Sequence, residues 1–208
     1  MSLKVVVVKK ELETADIVRY ELAGVAGTAL PAFAAGAHID VHVGPGIVRQ
    51  YSLCNHPDEV HRYVIGVLRE PASRGGSEAM HREVKAGDVL TISEPRNHFP
   101  LQRDAVRSIL IAGGIGVTPL LCMAQCLARS GARFEMHYCA RTLERIAFRT
   151  TIEQATFARR VFFHLDDGPE SQRLNVAAVL GKPEHGTHLY VCGPKGFMDH
   201  VKIGRAHV

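Results

Sequence analysis

The feature that most limits what this chain can fold into is a change of hydrophobic rhythm near residue 104. Before that point apolar and polar residues alternate. Ile39, Val41 and Val43 alternate strictly with His38, Asp40 and His42, the period-two pattern of a strand with one buried face. Gly44-Pro45-Gly46 is a turn signal, and 47–53 reads as the returning strand of a hairpin. Further strands are predicted at 3–10, 17–22, 61–69 and 88–93. Short antiparallel strands set apart by Gly/Pro turns predict a small β-barrel or sandwich. After residue 104, short apolar runs at 109–112, 134–139, 161–164 and 189–192 are separated by helical patterns. The clearest helix covers 120–130, with Leu120, Met123, Ala124 and Leu127 on one face. Strands joined through helices predict a parallel sheet. The expected architecture is an antiparallel β-barrel over 1–103 and an α/β parallel-sheet domain over 104–202, joined through 95–103.

Composition removes several function classes. The formal net charge is +4, and the basic residues are dispersed, with doublets only at Lys9-Lys10 and Arg159-Arg160. Neither a nucleic-acid nor a membrane-surface partner is expected. The aliphatic run Val5–Val8 is far short of the roughly 20 apolar residues of a spanning helix, and no apolar segment of a secretory signal follows Met1-Ser2-Leu3-Lys4. The five cysteines, at 54, 122, 126, 139 and 192, lack CxxC spacing, so neither a disulfide framework nor a zinc site is expected and the chain reads as cytoplasmic. Cys122 and Cys126, four apart, suit a core helix. His38, Asp40 and His42 share a strand face without a fourth ligand and read as a solvated surface, so no metal site is predicted.

Three segments carry chemistry. Gly113-Gly114-Ile115-Gly116-Val117-Thr118-Pro119 follows an apolar strand and opens a helix, with Thr118 as expected N-cap, Pro119 as first helical residue and Gly131 as stop signal. Glycines there let a ligand approach the backbone, and the helix N-terminus offers N–H groups to a pyrophosphate. Arg74-Gly75-Gly76-Ser77 precedes a short helical stretch at 78–84, with Ser77 as expected N-cap; a guanidinium beside exposed amides is a second phosphate-type cradle. In Arg49-Gln50-Tyr51-Ser52-Leu53, strand geometry puts Arg49 and Tyr51 on one face and Gln50 and Ser52 on the other. A cation, an aromatic plate and a hydroxyl so spaced suit a phosphate, a planar ring and a ring nitrogen.

The order RxYSL, SRGGS, PRNHFPL, GGIGVTPLL, YVCGP resembles the phthalate dioxygenase reductase and vanillate O-demethylase reductase family, within the ferredoxin reductase-like superfamily. The resemblance runs over residues 3–201. It implies a flavin-binding barrel, an NAD-binding α/β domain and, in the family, a C-terminal plant-type [2Fe–2S] domain, together supplying electrons to an aromatic-ring oxygenase. It implies FMN rather than FAD, and NADH, with NADPH the other candidate because Arg141 could meet a 2′-phosphate. By resemblance Arg49 contacts the flavin phosphate side, Tyr51 packs on the isoalloxazine, and Ser52 sits near flavin N5. Gly66, Val67 and Leu68 touch the ring system; Arg74, Gly75, Gly76 and Ser77 cradle the phosphate. Gly113, Gly114, Gly116 and Thr118 form the loop where NADH crosses the flavin, and Arg141 lies by the adenosine ribose. Cys192, Gly193 and Pro194 form the turn beside the nicotinamide, followed by Phe197 and Met198.

The implied reaction is direct hydride transfer from nicotinamide C4 to flavin N5, with Ser52 and Cys192 at the reacting atoms. It needs stacked rings and excluded water rather than an acid–base pair, in keeping with the lack of HExxH, GxSxG or paired-carboxylate motifs. The chain has no C-x₄-C-x₂-C run for a plant-type cluster. The last six residues, 203–208, fall outside the resemblance and match one reading frame of a sequencing-library adaptor. The expectation is a non-native tail on a truncated gene, the natural protein continuing past Val201 into a ferredoxin domain. Two other functions fit: an FAD-dependent ferredoxin- or flavodoxin-type NAD(P)H reductase, and a non-catalytic flavin- or nucleotide-binding regulatory subunit.

Overall fold

A computed structural model describes residues 2–70, 75–181 and 184–205, with side chains through 202. The chain divides into two compact units, 1–101 and 102–208.

The first unit contains β1 (Ser2–Thr14), β2 (Ile17–Gly24), β3 (Ala37–Gly44), β4 (Ile47–Ser52), β5 (Tyr63–Leu68), α1 (Gly76–Arg82), β6 (Val89–Ser93) and β7 (Arg96–Asn97). The strands form one antiparallel sheet in the order β4-β3-β6-β1-β2-β5, with β7 on β3. The two ends of that path meet. Leu53 bridges Ile65, and the Cys54 N–H donates to the Val64 carbonyl at 2.9 Å. That single bridge joins the two ends of the sheet, the step that closes a sheet toward a barrel. β1 runs past the predicted 3–10 because register shifts at Val7/Lys9 and Leu12/Thr14 bend it, letting it pair with β6 at one end and β2 along the rest.

Alternation explains the core. Ile39, Val41, Leu22, Ile65 and Ile92 are fully buried inside the barrel, each contributing about 1.5–3 kcal/mol by leaving water. Helix α1 closes over it through Met80. The helix starts two residues earlier than the expected 78. Gly75, at φ +88°, is its N-terminal flank, a conformation open to glycine. Ser77 is therefore inside the first turn and does not cap it; its Oγ accepts from the Glu70 N–H at 3.1 Å. The other end of α1 is tied to the barrel. Lys10 Nζ donates to the His81 and Val84 carbonyls, both at 2.7 Å, and the Tyr20 hydroxyl donates to the Met80 carbonyl. His81 Nε2 donates to the Val67 carbonyl at 2.8 Å.

The second unit contains β8 (Arg107–Gly113), α2 (Val117–Arg129), β9 (Phe134–Ala140), α3 (Arg149–Glu153), β10 (Val161–Leu165), α4 (Val176–Leu180), β11 (Thr187–Cys192) and α5 (Lys195–Arg205). Its sheet has the order β10-β9-β8-β11 and every pairing is parallel. Helix α2 packs against β8, β9 and β11. Ile109 and Ile111 on the other face meet Val176 of α4 and Val201 of α5. Gly131, at φ +70°, ends α2 in the predicted way. The Gly131 N–H donates to Ala128 and the Ala132 N–H to Leu127, the paired bonds of a Schellman stop. The start of α2 differs from expectation. Gly116 flanks it, and Thr118 is its second residue, with Oγ1 donating to the Ile115 carbonyl at 3.1 Å. Pro119 is therefore third, still in the turn where its missing N–H leaves no bond unmade. α5 runs through Arg205, so 203–205 of the expected tail are helical. Among the described residues no helix is long and apolar enough to cross a membrane.

Candidate functional site

Each unit brings part of the candidate set together. In the barrel, closure sets β4 beside β5, so Arg49–Ser52 and Gly66–Leu68 lie on adjoining strands. The Arg49 guanidinium lies directly over the first turn of α1. A Cβ built on Gly76 would stand 2.5 Å from Arg49 Nε and 2.8 Å from Cζ. Only a residue without a side chain fits beneath the cation, and that pair frames the start of the helix with Gly75. Tyr51 packs against the barrel core, yet its hydroxyl is buried with no hydrogen-bond partner. Burial pushes the phenol up to about 12, against the pull of Arg49, so it is a neutral donor at physiological pH. A buried hydroxyl without a partner costs about 1–3 kcal/mol, a cost that a bound acceptor would relieve. Ser52 stands opposite His38, and Gln50 opposite Asp40, in the β3–β4 register. The Val67 carbonyl is already occupied by His81, leaving Gly66 and Leu68 as the backbone of that stretch without this engagement. Arg74 lies outside the described residues.

In the α/β unit the site follows from topology. From β8 the sheet grows to β9 and β10 on one side and to β11 on the other, so the loops leaving β8 and β11 diverge at a switch point. The crevice beyond the strands' carboxyl ends at such a point is where parallel sheets bind ligands. Gly113–Gly116 leaves β8 there and Cys192–Pro194 leaves β11. They touch: a Cβ on Gly116 would collide with the Cys192 carbonyl and stand 2.6 Å from the Gly193 nitrogen. The Phe197 ring covers both turns, lying 2.7 Å from a Cβ built on Gly113 and 2.8 Å from one on Gly193. Gly114, at φ +53°, completes the turn. Met198 follows in the first turn of α5, its N–H donating to the Pro194 carbonyl. Burial raises the Cys192 thiol above its ordinary range, against a bond from the Gly193 backbone, so it is a neutral thiol. Arg141 is not part of this cluster. It follows β9 on the same carboxyl edge, is exposed, and its carbonyl accepts from the Asp167 N–H.

Sequence reasoning missed the groups that hold these parts in place. Lys10, Tyr20 and His81 fix α1, and no local motif reveals them because their partners are 60 or more residues away for Lys10 and Tyr20. No cluster of three or more metal-ligating side chains occurs among the described residues.

Comparison with known proteins bears directly on this arrangement. Residues 110–202 match the oxidoreductase NAD-binding domain family. The chain is 58% identical over 196 residues to the vanillate O-demethylase oxidoreductase of Pseudomonas putida, covering 94% of this chain and 61% of that one. It superposes with a TM-score of 0.93 on the structure of phthalate dioxygenase reductase, described as modular for electron transfer from pyridine nucleotides to [2Fe-2S]; identity is 39%, covering 99% of this chain and 64% of that one. Nearly the whole chain is thus similar to part of these reductases. It spans about three fifths of the length of these relatives. A more distant member of the fold, the flavohem-like FAD/NAD-binding domain of nitric oxide dioxygenase from Vibrio cholerae, matches with a TM-score of 0.86 at 25% identity, covering 99% of this chain and 92% of that one. The shared fold is the expected one, an antiparallel sheet unit followed by a parallel one.

Proposed function

We propose that the protein is a flavin-dependent NADH oxidoreductase, the reductase component for an aromatic-ring oxygenase or O-demethylase, passing its electrons on through a [2Fe–2S] domain. The observation that carries this reading is the Arg49–Gly76 cradle with the unpartnered Tyr51 hydroxyl beside it. Those residues fit a phosphate-bearing flavin: a cation over a bare glycine, amides at the start of α1, and a buried donor lacking an acceptor. When bound, the flavin supplies the chemistry, accepting a hydride from reduced nicotinamide and releasing electrons singly to the next acceptor.

The chain's own residues do the rest. Arg49, with Arg74 assigned from the sequence, neutralises the phosphate, and the Gly75–Ser77 amides bind its oxygens. Tyr51 covers the ring and donates its hydroxyl; Ser52 donates near the reacting nitrogen. In the second unit, Gly113, Gly114 and Gly116 keep side chains off the nucleotide path, and Cys192 with Gly193 borders the nicotinamide. Phe197 excludes water from that turn. Arg141 meets the adenosine ribose. NADH is assigned by the family resemblance. The likeness to an FAD/NAD-binding domain supports a second reading in which the flavin is FAD.

Soaking purified protein in riboflavin phosphate or FAD, desalting, and identifying the released flavin by mass spectrometry tests the reading. Retention of FMN alone supports it; FAD alone selects the second reading; no retained flavin refutes both.

A further inference from the structure

Two imidazoles of the second unit take no part in the chemistry above. His137 lies on β9 and His164 on β10, with His137 Nδ1 2.9 Å from His164 Nε2. The other nitrogen of His164, Nδ1, lies 3.1 Å from the Gln172 carbonyl. A carbonyl only accepts, so His164 Nδ1 carries the hydrogen. In a neutral ring Nε2 then holds a lone pair and accepts from the His137 Nδ1–H. It follows that His137 Nε2 is a bare lone pair as well. That atom is buried without a hydrogen-bond partner. Glu135 Oε1 stands 3.7 Å from it, beyond hydrogen-bond reach, and is held by Arg107 of β8. The His137 ring stacks on Phe162, at 5.1 Å, and lies edge to edge and nearly coplanar with His164, at 5.2 Å. One backbone carbonyl thus fixes the tautomer of both rings.

That carbonyl belongs to the segment that follows β10. Its start is stitched to the end of β9: the Asp166 N–H donates to Ala140 and the Asp167 N–H to Arg141, both at 3.1 Å. Its far end is held by His164 through Gln172. The segment therefore lies against Arg141 on the carboxyl edge of the sheet. We infer that His137 and His164 are a positioning pair for the adenosine end of the nucleotide site, gripping this segment while uncharged and loosening it when protonated. The inference rests on the nucleotide-binding reading above.

The groups facing the pair are Arg107 from β8, Glu135 and Cys139 from β9, and Asp166 with the Gln172 and Arg173 backbones from the segment. A proton on His164 Nε2 would set two N–H donors face to face across 2.9 Å. A proton on His137 Nε2 would bury a cation that competes with Arg107 for Glu135. Both rings accordingly stay below the ordinary imidazole range, chiefly through burial, reinforced at His137 by the neighbouring His164. The grip is intact at neutral pH and is released by acid.

Two measurements on the whole chain test this. Nitrogen-detected NMR of the histidine rings is expected to find both in the Nδ1–H tautomer at pH 7.5, the less common form in water; Nε2–H at either ring overturns the inference whatever binds. Calorimetric titration with ADP-ribose, whose pyrophosphate keeps a constant charge, is expected to weaken about fivefold between pH 7.5 and 5.5. His164→Gln, which can still accept from His137 and donate to Gln172, is expected to bind normally at pH 7.5 and lose that dependence. Parallel pH profiles for the two proteins overturn the inference. Absence of ADP-ribose binding at every pH, with the tautomers as stated, overturns the nucleotide-binding reading and the positioning role with it, but leaves the tautomer assignment standing.

Discussion

Arg49 and Gly76 occupy each other's space: the guanidinium lies where a side chain on Gly76 would begin, 2.5 Å from Nε. The strand that carries the cation and the helix that carries the amides are thereby brought to one point. A methyl group there must push Arg49 aside. Gly76→Ala is expected to weaken FMN binding about 10- to 100-fold, the worth of one or two hydrogen bonds to a charged group. Fluorescence titration reads the affinity, and thermal unfolding of the apo-protein should change little, since the far part of Arg49 can swing outward.

Tyr51→Phe separates a ligand contact from a structural one. The hydroxyl has no partner to lose in the apo-protein, so apo stability should stay level or rise. FMN affinity should fall about tenfold, the worth of one hydrogen bond. A marked loss of apo stability would mean that the hydroxyl serves the barrel instead.

Gly116→Ala behaves differently from Gly76→Ala, because the obstruction is backbone. The Cys192 carbonyl and Gly193 nitrogen cannot rotate away. Forcing the turns apart should cost about 1–3 kcal/mol and weaken ADP-ribose binding. Urea unfolding, followed alongside calorimetry, checks both.

Much of this was legible in the sequence, and the failures share a cause. The hairpin around Gly44-Pro45-Gly46 was readable because strict alternation and a turn signal agree. Likewise, the stop at Gly131 follows from one residue's freedom at positive φ. The caps expected at Ser77 and Thr118 lie two residues earlier, at Gly75 and Gly116, because hydroxyl residues suggest caps, whereas here glycine-rich turns bend first and the hydroxyls bond elsewhere. Lys10 at the end of α1 and the His137–His164 pair were invisible, since each depends on which strands become neighbours. The closing Leu53–Ile65 bridge likewise belongs to the whole barrel, not to either segment.

Acid should destabilise the second unit through the same histidines. Both have folded-state values below the ordinary 6.5, so the unfolded chain binds more protons as pH falls below that value. Stability is then fully present above pH 6.5 and is lost progressively toward the lowered folded values. Differential scanning calorimetry from pH 7.5 to 5 should record a falling Tm, and His164→Gln should flatten part of the fall.

Charge on Lys10 steadies the end of α1 through two carbonyl bonds at 2.7 Å. Lys10→Met should cost about 1–3 kcal/mol of barrel stability and weaken FMN binding indirectly, whereas Lys10→Arg should restore part of both. Equal loss in the two variants would show that the contact is not the cause.

The most direct test of the central claim is an anaerobic titration of the FMN-loaded protein with NADH, followed by flavin absorbance. The account predicts stoichiometric bleaching of the yellow colour. A flavin that stays bound and yellow in excess NADH would contradict it.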